Sequence, residues 1–208
     1  MKQKQLKSKH AIKLIVIDLY GVMSLGSYRD TCEWLCKKYG FDYEYCYKIV
    51  YHKYFCQAAT RKISEKQATD LTAKELGIKE SGAELLAKHL SFQHLNKQVF
   101  KWALMRKQEG YKILLLSKNT PGQFRYAMKK FALANHFEAT NTYYLNIDKK
   151  SPETARYILK KYKLRPDEVL MIDDQDFNLI HPQKIGLNII LYKNFIDFSK
   201  KAKSILKY

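Results

Sequence analysis

Leu14-Ile15-Val16-Ile17-Asp18-Leu19-Tyr20-Gly21-Val22 decides the reading of this chain. Leu14 to Ile17 is an unbroken apolar run, rich in β-branched side chains and only a few residues long. Such a run predicts a strand buried on both faces, the kind found in parallel sheets packed between helices. The strand is expected over about 12–18. In these sheets ligands bind beyond the carboxyl ends of the strands, where strand order reverses. Asp18 stands at such an end, and Gly21 supplies a permissive backbone beside it. A carboxylate there can act as a covalent nucleophile, a metal ligand or a general base, or it can merely cap the following turn.

Working outward, two further runs repeat the pattern. Lys112-Ile113-Leu114-Leu115-Leu116-Ser117 predicts a second buried strand, ending on a hydroxyl. Thr120 and Pro121 then start a helix as N-cap and first helical residue. A hydroxyl beside a helix N-terminus is a natural seat for an anion. Val169-Leu170-Met171-Ile172 predicts a third strand, ending on Asp173-Asp174. Adjacent carboxylates repel unless a cation or a lysine lies between them, and hard oxygen ligands suit Mg²⁺. Between these runs, Lys149-Lys150 precede Ser151-Pro152, another N-cap with proline behind it, for a helix to about Tyr162. Arg165 to Glu168 reads as a turn. Phe137 to Ile147 reads as weakly strand-like. After Asn178 a helix of about two turns is expected, interrupted by Pro182. Gly186 precedes a strand over Leu187 to Leu191, and a basic helix follows. Four strand ends are thus expected to carry Asp18, Ser117, the lysine pair and Asp173-Asp174.

From Tyr28 to about Asn96 only helical patterns occur. Asp30 with Glu33 suggests one start, and Gly40 one end; Ser64 with Gln67 and Ser81 with Glu84 form capping boxes. Tyr47, Tyr51 and Tyr54 are spaced for one helix face, which reads as packing. A helix from about Lys97 to Glu109 ends at Gly110. The expected organisation is a basic arm over 1–10, an α/β core from 11–24 and 97–208, and a helical insert over 25–96. An insert after the first strand overhangs the end of the sheet that carries Asp18, where it can serve as a lid.

Composition bounds the function. The chain has 208 residues, enough for one sizeable core plus a small insert, and a formal charge of +18. Lysine supplies most of that charge, spread along helices, which reads as a solvated surface able to steer anionic substrates. No module typical of nucleic-acid binders accompanies it. No apolar run approaches a membrane span or a signal peptide, so a cytoplasmic protein is expected. Cys32, Cys36, Cys46 and Cys56 lack metal-site spacing and read as reduced thiols.

With these motifs in place, the sequence resembles the haloacid dehalogenase-like (HAD) superfamily. Ile15 to Val22 looks like its first motif, Leu115-Leu116-Ser117 its second, Lys149 to Glu153 its third, and Val169 to Asn178 with Gly186 its fourth, in an Asp-Asp form. The insert resembles the helical cap of the superfamily's dehalogenase and small-molecule phosphatase branch. The resemblance implies a Rossmann-like three-layer α/β fold with an inserted cap, and a Mg²⁺-dependent phosphatase of a small phosphomonoester. It implies that Asp18 attacks phosphorus. It implies that Asp18, Asp173, Asp174 and the carbonyl of Tyr20 hold Mg²⁺, and that Ser117, Lys118 and Lys149 bind the phosphoryl group. Gly21 and Asn178 would support the site. Phosphatases of the superfamily usually place a second Asp where this chain has Tyr20, and Lys150 replaces a usual proline. Tyr20 is instead a feature of the haloalkanoic acid dehalogenases. A metal-free dehalogenase-like hydrolase and a catalytically weak binding protein therefore stand as alternatives.

Overall fold

A computed structural model describes residues 11–206. The expected basic arm over 1–10 lies outside the described residues. Strand β1, Leu14–Asp18, is buried along its whole length. A short antiparallel ribbon of β2, Ser24–Leu25, and β3, His94–Leu95, frames a helical excursion. The excursion runs through α1, Tyr28–Tyr39, and α2, Tyr43–Tyr47, into a π-helical stretch over Lys48–Phe55. It continues through α3, Cys56–Ala59, α4, Glu65–Leu76, and α5, Gly82–Ser91. The chain then alternates α6, Lys97–Gln108, β4, Lys112–Ser117, α7, Pro121–Lys130, β5, Glu138–Asn141, a single helical turn α8, Thr142–Leu145, and α9, Pro152–Tyr162. It closes with β6, Val169–Asp173, α10, Ile180–Lys184, β7, Asn188–Leu191, and α11, Phe195–Leu206.

The five long strands form one parallel sheet in the order β5-β4-β1-β6-β7. From the central β1 the chain builds outward through β4 and β5, then crosses to β6 and β7 on the other side. The carboxyl end of β1 is therefore the switch point of the topology, where a ligand crevice opens. Side chains of β1 alternate between two cores, because successive residues of a strand face opposite ways. Ile15 and Ile17 pack with Val99 and Trp102 of α6 and Phe198 of α11. Leu14 and Val16 pack with Ala155 and Ile158 of α9. This is the three-layer α/β architecture the apolar runs predicted. A third cluster holds the helical excursion together around Cys32, Leu35, Cys46, Val50 and Leu85. All four cysteines are free thiols, as expected. Among the described residues no helix is long and apolar enough to cross a membrane.

Several local expectations are corrected. The cap of α1 is Ser27, with Asp30 as its partner three residues on, so Asp30 closes the capping box rather than opening the helix. The boxes at Ser64–Gln67 and Ser81–Glu84 form as predicted. The aromatic stripe follows Tyr43, Tyr47, Tyr51 and Phe55, stacked at 6.0, 5.1 and 5.3 Å between ring centroids, and not Tyr47-Tyr51-Tyr54. The cause is the π-helical winding, which carries more residues per turn than an α-helix and moves Tyr54 to Glu75. Within 137–147 only Glu138–Asn141 is strand. Asn141 caps the turn that follows by accepting from the Tyr143 amide at 3.1 Å, and the chain leaves the sheet there.

Candidate active site

β1 delivers Asp18 to the switch point, and the chain turns at once: the Met23 amide donates to the Asp18 carbonyl at 3.1 Å and the Ser24 amide to the Leu19 carbonyl at 2.7 Å. β6, hydrogen-bonded beside β1, delivers Asp173 and then Asp174. Carboxylate oxygens of Asp18, Asp173 and Asp174 lie within 4.8 Å of one another. Lys149 joins them, with Nζ 2.5 Å from Asp18 Oδ1 and 2.7 Å from Asp173 Oδ2. Sequence reading put the lysine pair at a strand end. Lys149 in fact occupies the loop between α8 and α9, and it alone of the pair is buried.

Each acid is held differently. Asp173 is fully buried, and its Oδ1 accepts from the Gln175 amide and from Asn178 Nδ2, both at 3.0 Å. Asn178 thus orients an acid. Asp174 leans on Gly21: a Cβ at position 21 would lie 2.3 Å from Asp174 Oδ2. Burial pushes the Asp18 carboxyl well above the usual range, and the charge of Asp173 adds to it, with Lys149 opposing. Asp174 is raised by burial and by Asp173. Burial works against the Lys149 ammonium, yet Asp173 and Asp18 outweigh it and raise its pKa. Three carboxylates face one ammonium, which leaves two negative charges without a counterion when all are ionised.

That imbalance fits a divalent cation, and the donors fit too. Asp174 Oδ1 is buried without a hydrogen-bond partner. The set is all oxygen, the chemistry Mg²⁺ prefers. The glycine at 21 leaves the acid room to lie against the turn.

The remaining predicted residues divide. Lys118 borders the cavity but pairs with Asp148 at 3.4 Å. Ser117 is fully buried at the end of β4, its Oγ accepting from Asn119 Nδ2 at 3.2 Å. Asn119 itself lines the cavity and is clamped to Asn141, whose Nδ2 donates to its carbonyl at 2.8 Å. Sequence reading passed over Asn119; its place between a strand-end serine and a helix cap was the available signal. Tyr20 lines the cavity, yet its hydroxyl donates to the Gln123 carbonyl at 2.7 Å and lies 3.2 Å from Gln93 Oε1. These contacts tie the Tyr20 side chain to α7 and to the segment before β3. The helical excursion contributes Tyr28, Arg29, Tyr47, Tyr51, Phe55 and His89 to the same cavity, whose volume is about 80 Å³.

The family model for haloacid dehalogenase-like hydrolases matches residues 12–179. The chain belongs to that family. Solved structures place this haloacid dehalogenase-like hydrolase beside enzymes of two kinds. A HAD family enzyme of Bacteroides thetaiotaomicron, solved in complex with magnesium and inorganic phosphate, is 24% identical with a TM-score of 0.70, covering 88% of this chain and 95% of its own. An L-2-haloacid dehalogenase of Xanthobacter autotrophicus is 17% identical with a TM-score of 0.63, covering 86% of this chain and 76% of its own. The same dehalogenase with chloropropionic acid covalently bound is 15% identical at a TM-score of 0.64, covering 93% and 83%. At these identities the likeness establishes the fold alone. No curated protein matches the chain.

Proposed function

We propose that this hydrolase is a Mg²⁺-dependent phosphatase of a small phosphomonoester, and that Asp18 is its nucleophile. The observation that carries the reading is the meeting of Asp18, Asp173 and Asp174 around a single ammonium, Lys149. A purely structural ion pair needs one acid for one base. Three acids at a sheet switch point, two of them buried, match a site built to take a cation with an anionic substrate.

In this reading Asp18, Asp174, Asp173 and the Tyr20 carbonyl would hold Mg²⁺, which when bound supplies positive charge to the phosphoryl oxygens. Asp18 attacks phosphorus, the P–O bond to the leaving group breaks, and an aspartyl-phosphate forms on the carboxylate. Water then attacks that phosphorus, releasing phosphate and restoring Asp18. Lys149 opposes the burial and the neighbouring charge that raise Asp18 and, with Asn119 and Lys118 at the cavity wall, offsets the charge that spreads over the equatorial oxygens. The segment over 25–96 is proposed to act as a cap that excludes water during the first step.

A dehalogenase-like reading is favoured by one observation, the tyrosine at position 20, and by nothing in the acid triad. Phosphate release from generic monoesters with and without Mg²⁺, alongside chloride release from 2-chloropropionate without metal, separates the two. Metal-dependent phosphate release supports the proposal. Chloride release without metal supports the dehalogenase. Neither activity, with Asp18→Asn leaving ligand binding intact, supports a binding protein.

A further inference from the structure

Behind Tyr28, Phe55 and His89, which border the acidic cavity, lies a second, smaller cavity that shares those three rings. Its volume is about 20 Å³, space for one or two water-sized groups. Val50, Ala58, Ala68 and Leu85 make its apolar side. Its other side carries Glu65, His89 and Gln123.

The electrostatics of this cavity run against those of the molecule. The sequence holds 38 lysines and arginines against 20 acids, yet the one formally charged side chain on this wall is Glu65. The carboxylate of Glu65 accepts from the Thr120 hydroxyl and rests on the first turn of α7, where a Cβ on Gly122 would lie 2.0 Å from Oε2. No lysine or arginine pairs with it among the described residues. His89 and Gln123 are 3% and 1% exposed, and His89 Nε2 and Gln123 Oε1 are buried without hydrogen-bond partners. Buried polar atoms left unpaired are costly, and Gln123 Oε1 is a buried acceptor that lacks a donor beside an unpaired carboxylate.

We propose that this cavity receives a primary ammonium on the substrate's leaving group, so that the substrate is the phosphomonoester of a short amino alcohol. The proposal rests on the phosphatase reading for the phosphate end alone. The ammonium donates to Glu65 and to Gln123 Oε1, while the apolar wall takes the methylene beside it.

Binding tests this independently of turnover. Calorimetric titrations in Mg²⁺ would compare 2-aminoethylphosphonate with propylphosphonate, which replaces the ammonium by a methyl group. The wild type is expected to prefer the amino compound roughly tenfold or more, the range for a hydrogen bond to a charged group. Glu65→Gln should bring that ratio close to one without changing affinity for propylphosphonate. Gly122→Ala, which displaces the same carboxylate, should lower the ratio as well. Equal affinities in the wild type, or an undiminished preference in Glu65→Gln, overturns the proposal. Mg²⁺-dependent release of phosphate from phenyl phosphate alongside equal phosphonate affinities would overturn the amino pocket and leave the phosphatase reading standing. A clear amino preference with no phosphate released from any ester would uphold the pocket and remove the phosphatase.

Discussion

Gly21 and Asp174 occupy each other's space in a way no other residue at position 21 allows. Gly21 has φ +94°, and a Cβ there would meet Oδ2 of Asp174 at 2.3 Å and its Cγ at 2.4 Å. Gly21→Ala therefore strains the backbone and moves an acid of the proposed cation site at once. A loss of about 1–3 kcal/mol in unfolding free energy is expected. Mg²⁺ affinity, measured by calorimetry, should fall at least tenfold if a ligand carboxylate is displaced. Unchanged Mg²⁺ affinity in a folded variant would separate Asp174 from the cation site.

Tyr20 tests whether the position of the usual second acid does chemistry here. Its hydroxyl fastens the turn after β1 to the carbonyl of Gln123 and to Gln93. Tyr20→Phe should cost about 1–3 kcal/mol of stability, because it strands buried acceptors. The turnover number should stay within a few-fold. An acid–base residue would instead lose two to four orders of magnitude. Urea unfolding and steady-state kinetics on the same preparation decide between the two.

His89 makes stability depend on pH. Burial pushes its pKa down to about 4, with the charge of Asp30 and the nearby Gln123 side chain only partly opposing. The unfolded chain binds the proton near pH 6.5, so stability attached to neutral His89 is complete above that value and drains away as pH falls toward 4. A shift of this size corresponds to about 3 kcal/mol. His89→Phe, which keeps a ring against Tyr28, should unfold with a shallower decline between pH 6.5 and 4 than the wild type. Parallel stability profiles would show that His89 protonates freely in the fold.

The strands that carry the site were legible because their burial leaves a simple trace. β1, β4 and β6 are unbroken apolar runs ended by Asp18, Ser117 and Asp173, since a strand covered on both faces has no position for a polar side chain until it emerges. Capping boxes at Ser64 and Ser81 were legible for a similarly local reason. What escaped was set by tertiary contact. The π-helical winding under Tyr51 has no sequence period of its own. β5 is an edge strand whose exposed Glu138 and terminal Asn141 break the apolar run. The hydroxyl of Tyr20 finds its partner more than a hundred residues along the chain, which spacing near Asp18 cannot announce.

The second cavity was invisible for a related reason. Glu65, His89 and Gln123 come from three separate helices, and each alone reads as an ordinary surface or capping residue.

Trapping the covalent adduct addresses the central claim most directly. The protein would be mixed with a turned-over phosphomonoester and Mg²⁺, quenched in acid during the reaction, digested and read by mass spectrometry. A phosphoryl group on the peptide that contains Asp18, absent when Mg²⁺ is withheld and absent from Asp18→Asn, is the expected result. Turnover at the wild-type rate by Asp18→Asn, or a phosphoryl group carried on any other side chain, would contradict it.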